Sequence, residues 1–250
     1  MAMTYLIDIL ILAGLAGLAT GIGGAIAVIK KPREKIFGFL MGLAAGVMVV
    51  LSFLGMVAEA WKSTGFLMTI LAFTIGAFLM FSLDILIPHI RFSVKETGLL
   101  KPELFTTGIL IAIGITLHNI PEGISVGAGY LHSPTFGVLI AIAIALHNIP
   151  EGMATALPIY TSGAPRLSAF KIALFSGLME PVGALVAALF LTSFQSLIPV
   201  TLAFAAGVMI FITLDELIPT AHKYGHEHFT TLGVITGTIF MFLLLGTFNI

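Results

Sequence analysis

Leu110 to Gly123 reads LIAIGITLHNIPEG, and Leu139 to Gly152 reads LIAIAIALHNIPEG. Twelve of these fourteen positions are identical, at an offset of 29 residues. A soluble solenoid can have such a period, but the composition argues against one. Hydrophobic residues make up 58% of the 250 residues and charged residues 9%, with a mean hydropathy of +1.13. A soluble domain carries about 25% charged residues, so this chain cannot cover a water-facing surface and its natural solvent is a lipid bilayer. Each copy sits in an apolar run long enough to cross one, which takes about 20 residues. Consecutive crossings are antiparallel, so the two copies point in opposite directions and can be related by a pseudo-two-fold axis in the membrane plane.

Outward from this pair, apolar runs predict eight spans at 4–29, 36–60, 64–88, 104–130, 134–158, 168–191, 197–221 and 229–249. Residues 1–250 thus read as a single polytopic, all-α transmembrane domain. A β-barrel would alternate apolar and polar residues, which these runs do not. A second echo links Ala44-Ala45-Gly46-Val47-Met48 in span 2 to Ala205-Ala206-Gly207-Val208-Met209 in span 7. Spans 1–3 and 6–8 then form inverted halves around the central pair, a 3+2+3 arrangement. In transporters built this way, substrate sites lie near the midplane where the repeats meet.

Ten of the eleven Lys and Arg fall in the loops after spans 1, 3, 5 and 7; only Lys62 lies in the other set. The positive-inside rule puts the ten in the cytoplasm and both termini outside. The first eight residues carry Asp8 and no Lys or Arg, the reverse of a secretory signal, so span 1 is expected to be retained. A net charge of −1 gives no reason to expect a nucleic-acid partner. The absence of cysteine removes disulfides, thiolate metal sites and thiol nucleophiles.

The polar part of each copy carries the chemistry. His118, Asn119 and Glu122 share one helix face, as do His147, Asn148 and Glu151, because their spacings are three and four residues. Pro121 and Pro150 each lack an N–H, which predicts a disturbed turn before them. Glu180-Pro181 in span 6 repeats the pairing of an acid with a proline. An ionised side chain at the bilayer centre costs about 2.5–3.5 kcal/mol, so three uncompensated glutamates cost roughly 7–10 kcal/mol. No Lys or Arg lies within these spans apart from Lys171 at the edge of span 6, so the compensating charge is carried by protons or by a metal cation. Two imidazoles and two amide oxygens beside three carboxylates fit a metal's ligand shell better than a proton wire. Such N/O ligands suit zinc, iron(II) and similar divalent ions, and the lack of sulfur disfavours Cu(I). Gly123 and Gly152 are expected to allow close helix packing beside the prolines.

HNIPEG in two successive spans, followed by GLMEPVGA at 177–184, resembles the ZIP (Zrt-/Irt-like) family of divalent-metal transporters, especially its ZupT-type zinc-uptake branch. The resemblance extends over essentially the whole chain. It implies one metal site built by His118, Glu122, His147 and Glu151. It implies a second built by Asn119, Glu122, Asn148, Glu151 and Glu180, with Glu122 and Glu151 bridging. It also implies dimerisation. Many relatives carry a long His-rich loop between spans 3 and 4, whereas residues 89–103 here include only His89.

Access to a midplane site needs polar footholds on both sides. Ser52 and Glu59 in span 2 approach the outside; Asp84 and His89 end span 3 inside, and Asp215, Glu216 and His222 end span 7 inside, followed by His226 and His228. The leading reading is a carrier in the cell membrane that moves a divalent cation (zinc, iron, manganese, cobalt or cadmium) into the cytoplasm as its substrate, with no enzymatic cofactor. No P-loop is present to couple the chain to ATP. An intramembrane zinc metallohydrolase is an alternative, but no H-E-x-x-H occurs and the motif's acids all read as ligands, leaving no base for water. A proton-coupled carrier of another substrate is the third reading.

Overall fold

A computed structural model describes residues 2–86 and 102–250. Among the described residues there are eight helices long and apolar enough to cross a membrane. They are α1 (Ala2–Ile29), α2 (Glu34–Thr64), α3 (Phe66–Leu86), α4 (Pro102–His132), α5 (Pro134–Thr161), α6 (Arg166–Ser193), α7 (Gln195–Lys223) and α8 (Glu227–Phe248). The connections among the described residues are of four residues or fewer. Gly65, at φ +79°, ends α2 in a conformation that side chains rarely adopt, and extended Ser133 precedes Pro134 at the start of α5.

Each outer helix presents one face to lipid and one to protein. On α1, Ile7, Ile11, Leu15, Leu18, Ile22, Ile26 and Ile29 are exposed in a stripe, while Ile9, Ala13, Ala16 and Ala27 are buried. An exposed apolar stripe is stable only against hydrocarbon. Lipid tails are as apolar as Leu, so packing between the helices rests on close approach of small residues.

The helices form two groups of four. α1, α4, α5 and α6 pack on one another, as do α2, α3, α7 and α8; the groups meet chiefly along α4 with α7 and α2 with α5. The crossings carry the expected inverted symmetry in atomic detail. A methyl group on Gly152 would lie 2.7 Å from the carbonyl carbon of Thr20, and one on Gly123 would lie 2.7 Å from that of Glu180. Gly23 likewise abuts Ile149, and Gly183 abuts Ile120. In the other group, Gly207 meets the Phe73 carbonyl as Gly46 meets that of Val234. Gly76 meets Phe204 as Gly237 meets Leu43. Thus the α1/α5 crossing corresponds to α6/α4, and the α2/α8 crossing to α7/α3. Gly17 and Gly177 face one another, each being the other's counterpart.

The symmetry extends to irregularities. α2 widens into a π-helical turn at Leu51–Val57 and α7 does so at Thr213–Leu217. Such insertions concentrate at functional sites because they re-aim side chains.

Candidate metal centre

α4, α5 and α6 bring all seven expected ligands into the first helix group. His118, Asn119, Glu122, His147, Asn148 and Glu180 are wholly buried, and Glu151 is 1% exposed. α4 and α5 remain helical through Pro121 and Pro150, contrary to the expected disturbance. A proline removes one backbone hydrogen bond, and the remaining bonds of the turn keep these two helices continuous. The break falls instead in α6. Pro181 has no N–H for the Gly177 carbonyl, Leu178 forms a turn between Arg166–Gly177 and Met179–Ser193, and Glu180 stands in the first turn of the second segment.

His147 Nε2 lies 2.9 Å from Glu122 Oε1 and 3.9 Å from Glu151 Oε1; His118 Nε2 lies 3.6 Å from the same Glu151 oxygen. One ligand atom from each of Glu122, His147 and Glu151 falls within 4.8 Å of the others, the spacing of groups that can share one ion. Asn148 Nδ2 donates to the Ala16 carbonyl at 2.9 Å and to Glu180 Oε1, so α1 and α6 together orient that amide. His147 Nδ1 lies 3.3 Å from the Ala143 carbonyl, which directs Nε2 toward the carboxylates.

Many of the polar atoms in this cluster have no hydrogen-bond partner in the protein. They are both ring nitrogens of His118, both amide atoms of Asn119, Glu122 Oε2, Asn148 Oδ1, both Glu151 oxygens and Glu180 Oε2. These are nine of the eleven such buried side-chain atoms among the described residues; the others are Thr20 Oγ1 and Ser52 Oγ. Each costs about 1–3 kcal/mol if left so, which together rivals the 5–15 kcal/mol stability of a typical protein. A convergent set of imidazole, amide and carboxylate groups, most of whose unpaired atoms are acceptors, is chemically suited to a divalent cation.

The flanking residues divide. Glu216, expected near the inner end of span 7, reaches the centre itself: its Oε2 is 3.7 Å from His118 Nδ1. The π turn at Thr213–Leu217 carries it there, and Asp84 and Asp215 lie close enough to act on it electrostatically. Ser52 is buried within the π turn of α2. Glu59 stands away from the centre, bound by Lys62 Nζ at 3.0 Å and facing His132 Nε2 at 3.1 Å, so it ties α2 to the end of α4. The sequence reading missed His132 as its partner, since nothing in the spacing links them. His222 is exposed, and His226 and His228 lie near one another on the surface. His89 lies outside the described residues.

A cavity of about 390 Å³ is lined by Lys31, Ala154, Thr161, Thr220 and Lys223, among others. Ala154 is less than one turn from Glu151, and Thr220 is one turn from Glu216. The cavity therefore lies at the basic end of the molecule and approaches the buried His/Asn/Glu cluster to within about one helical turn along α5. Toward the end bearing Glu59 and His132, the seam between the helix groups is filled by Met48, Leu51, Met56, Ile140, Ile144 and Met209, all fully buried.

Residues 93–245 match the family described as ZIP Zinc transporter. The chain is 40% identical to the zinc transporter ZupT of Oceanobacillus iheyensis, over 90% of this chain and 92% of that protein. It is 37% identical to the zinc transporter ZupT of Akkermansia muciniphila, covering 96% and 97% of the two chains. The protein of that name from Streptococcus mutans is also 37% identical, over 98% of each.

Proposed function

Because the chain belongs to the ZIP zinc transporter family, we propose that it carries zinc and related divalent cations across the cell membrane into the cytoplasm through the cluster on α4, α5 and α6. The observation that carries this reading is the group of nine unpaired buried donor and acceptor atoms gathered on six side chains of this cluster. The cation is the substrate, and binding rather than bond cleavage is what the geometry serves.

Glu122, His147, Glu151 and His118 hold one ion. Asn119, Asn148 and Glu180 hold a second with Glu122 and Glu151 shared between them. Sharing is favoured by charge: two divalent ions more than balance three carboxylates, whereas the carboxylates alone would repel in a medium of low dielectric. Glu216 takes the ion from His118. Asp84 and Asp215 lower the electrostatic cost of its passage toward the cavity lined by Thr220. In this reading the basic end faces the cytoplasm, both termini face outward, and the ion leaves the centre toward the cavity at the basic end. Transport requires the seal of buried Met, Leu and Ile residues to open in turn, by rocking of one helix group against the other. Dimerisation, where it occurs, leaves this centre within one chain, since all its ligands come from α4, α5 and α6.

Reconstitution in liposomes tests the reading. Uptake of zinc, cobalt, manganese, iron(II) and cadmium under imposed metal gradients is expected to proceed in the wild type and to be lost in Glu122→Ala. Metal uptake at the wild-type rate by folded Glu122→Ala protein overturns the assignment, and flux without any divalent metal overturns the substrate.

A further inference from the structure

We propose that the hydroxyl of Thr20, on α1, is a further oxygen donor of the metal centre, occupying the place that Glu180 occupies on α6. The inference rests on the transport reading above and deepens it by naming a group no ligand motif contains.

Two independent observations carry it. The first is positional. Gly152 abuts the Thr20 carbonyl as Gly123 abuts that of Glu180, and Gly23 abuts Ile149 as Gly183 abuts Ile120. The offset between α1 and α6 is the same in both pairs, and the offset between α5 and α4 is that of the HNIPEG copies. Gly17 and Gly177 face each other at the axis. From there, a methyl group on Gly17 would lie 3.6 Å from Glu180 Cβ, and one on Gly177 would lie 2.8 Å from Thr20 Cβ. Thr20 is therefore the pseudo-symmetric counterpart of Glu180, as Asn119 is of Asn148.

The second observation is chemical. Thr20 is wholly buried and its Oγ1 has no hydrogen-bond partner. A threonine in a helix readily satisfies its hydroxyl on the carbonyl one turn back. Thr155, Thr213 and Thr116 here do so at 3.0, 2.8 and 2.6 Å. Thr20 does not, although the Ala16 carbonyl lies one turn back and accepts instead from Asn148. On the equivalent side of the centre, both amide atoms of Asn119 are also without partners. Asn148 is oriented by Glu180 and Ala16; the symmetry assigns Thr20 to the Asn119 side. The centre is thus asymmetric in charge, with a carboxylate at one pole and a neutral hydroxyl at the other. A neutral oxygen ligand binds the ion more weakly than a fourth carboxylate would and so favours release.

Zinc binding to the purified full-length protein in detergent, by equilibrium dialysis, tests this, with thermal unfolding measured with and without zinc. Wild type and Thr20→Ser are expected to bind alike, within about twofold. Thr20→Val, isosteric but without the hydroxyl, is expected to bind about tenfold more weakly, the lower end of what losing a supporting group at a metal site costs. Without metal, Thr20→Val should unfold at the same temperature or higher, because it removes an unpaired buried hydroxyl; the stabilisation by zinc should shrink. Equal zinc affinity in Thr20→Val and wild type overturns the proposal. So does a Thr20→Val protein that is destabilised without metal and rescued by serine, which marks a structural hydroxyl. Failure of the wild type to bind zinc, or binding unaffected by Glu122→Ala, instead refutes the transport reading on which the proposal stands.

Discussion

Substitution of Gly123 by alanine probes how tightly the helix crossing positions the centre. The added methyl would lie 2.7 Å from the Glu180 carbonyl carbon and 2.9 Å from the Ala184 nitrogen. Both are backbone atoms and cannot rotate away. The Glu180 carbonyl oxygen would be nearer still; ordinary contact begins at about 3.5 Å, so α4 and α6 must separate by at least about 1 Å. Overpacking of this size costs about 1–3 kcal/mol of stability. The functional cost is separate: metal-ligand distances are held to about ±0.2 Å, so a roughly 1 Å retreat of Glu180 removes it from direct ligation. Gly123→Ala is therefore expected to bind zinc about 10–100-fold more weakly while retaining its helical content. Gly14→Ala, where nothing lies within 4 Å of the new methyl, serves as the control and should bind as wild type. Dialysis and circular dichroism on the two purified proteins read both effects. Unchanged zinc affinity in folded Gly123→Ala would show that Glu180 is not held by this crossing and would refute the reasoning.

Among the shared ligands, Glu151→Ala should abolish uptake in liposomes and Glu180→Gln should only reduce it, because Glu180 serves a single ion; the reverse order contradicts the bridging assignment. Glu216→Gln should leave equilibrium zinc affinity within a few-fold of wild type yet slow uptake, and an affinity loss as deep as that of Glu122→Ala would make Glu216 a ligand of the centre. Metal binds neutral imidazole and ionised carboxylate, so protons compete: zinc affinity should fall from neutral to acidic pH, and binding should release protons. Calorimetric heats that do not depend on the buffer's ionisation enthalpy would deny that release. The chain has no cysteine, so single cysteines at Lys31 or Lys223 should label only from the cytoplasm and at Lys62 only from outside. Labelling of Lys31→Cys from outside would invert the map.

The number of spans and their bounds were legible because lipid imposes a length and a composition on each helix. The cluster was legible because six of its seven residues lie in a repeated motif whose spacing puts each set on one helix face, and Glu180 stands beside a proline in the next span. What the sequence did not show depends on packing between distant segments. The disturbed turns expected at Pro121 and Pro150 are absent, while the same residue type at Pro181 coincides with a true break. All three places share a proline with a glycine two residues later, but the acid follows the proline in α4 and α5 and precedes it in α6, where Leu178 interrupts the helix.

Glu216 shows a second kind of concealment. Counted along a regular helix, it lies beyond the centre near the inner end of span 7, and its acidity reads as an exit foothold. A π turn adds a residue to the helical repeat, which rotates everything after it relative to what precedes it. The turn at Thr213–Leu217 thereby points Glu216 at His118, and the matching turn at Leu51–Val57 holds Ser52 buried. Both turns lie in the helix group that supplies no ligand to the seven-residue cluster, at equivalent positions of the inverted halves. The symmetry that repeats the His-Asn-x-x-Glu sets in one group thus repeats, in the other, a π-helical irregularity, one copy of which brings Glu216 to His118. Residue identity registers the first repeat, whereas hydrophobic periodicity is blind to the second, because a π turn in a helix apolar on most sides leaves the pattern of apolar positions almost unchanged.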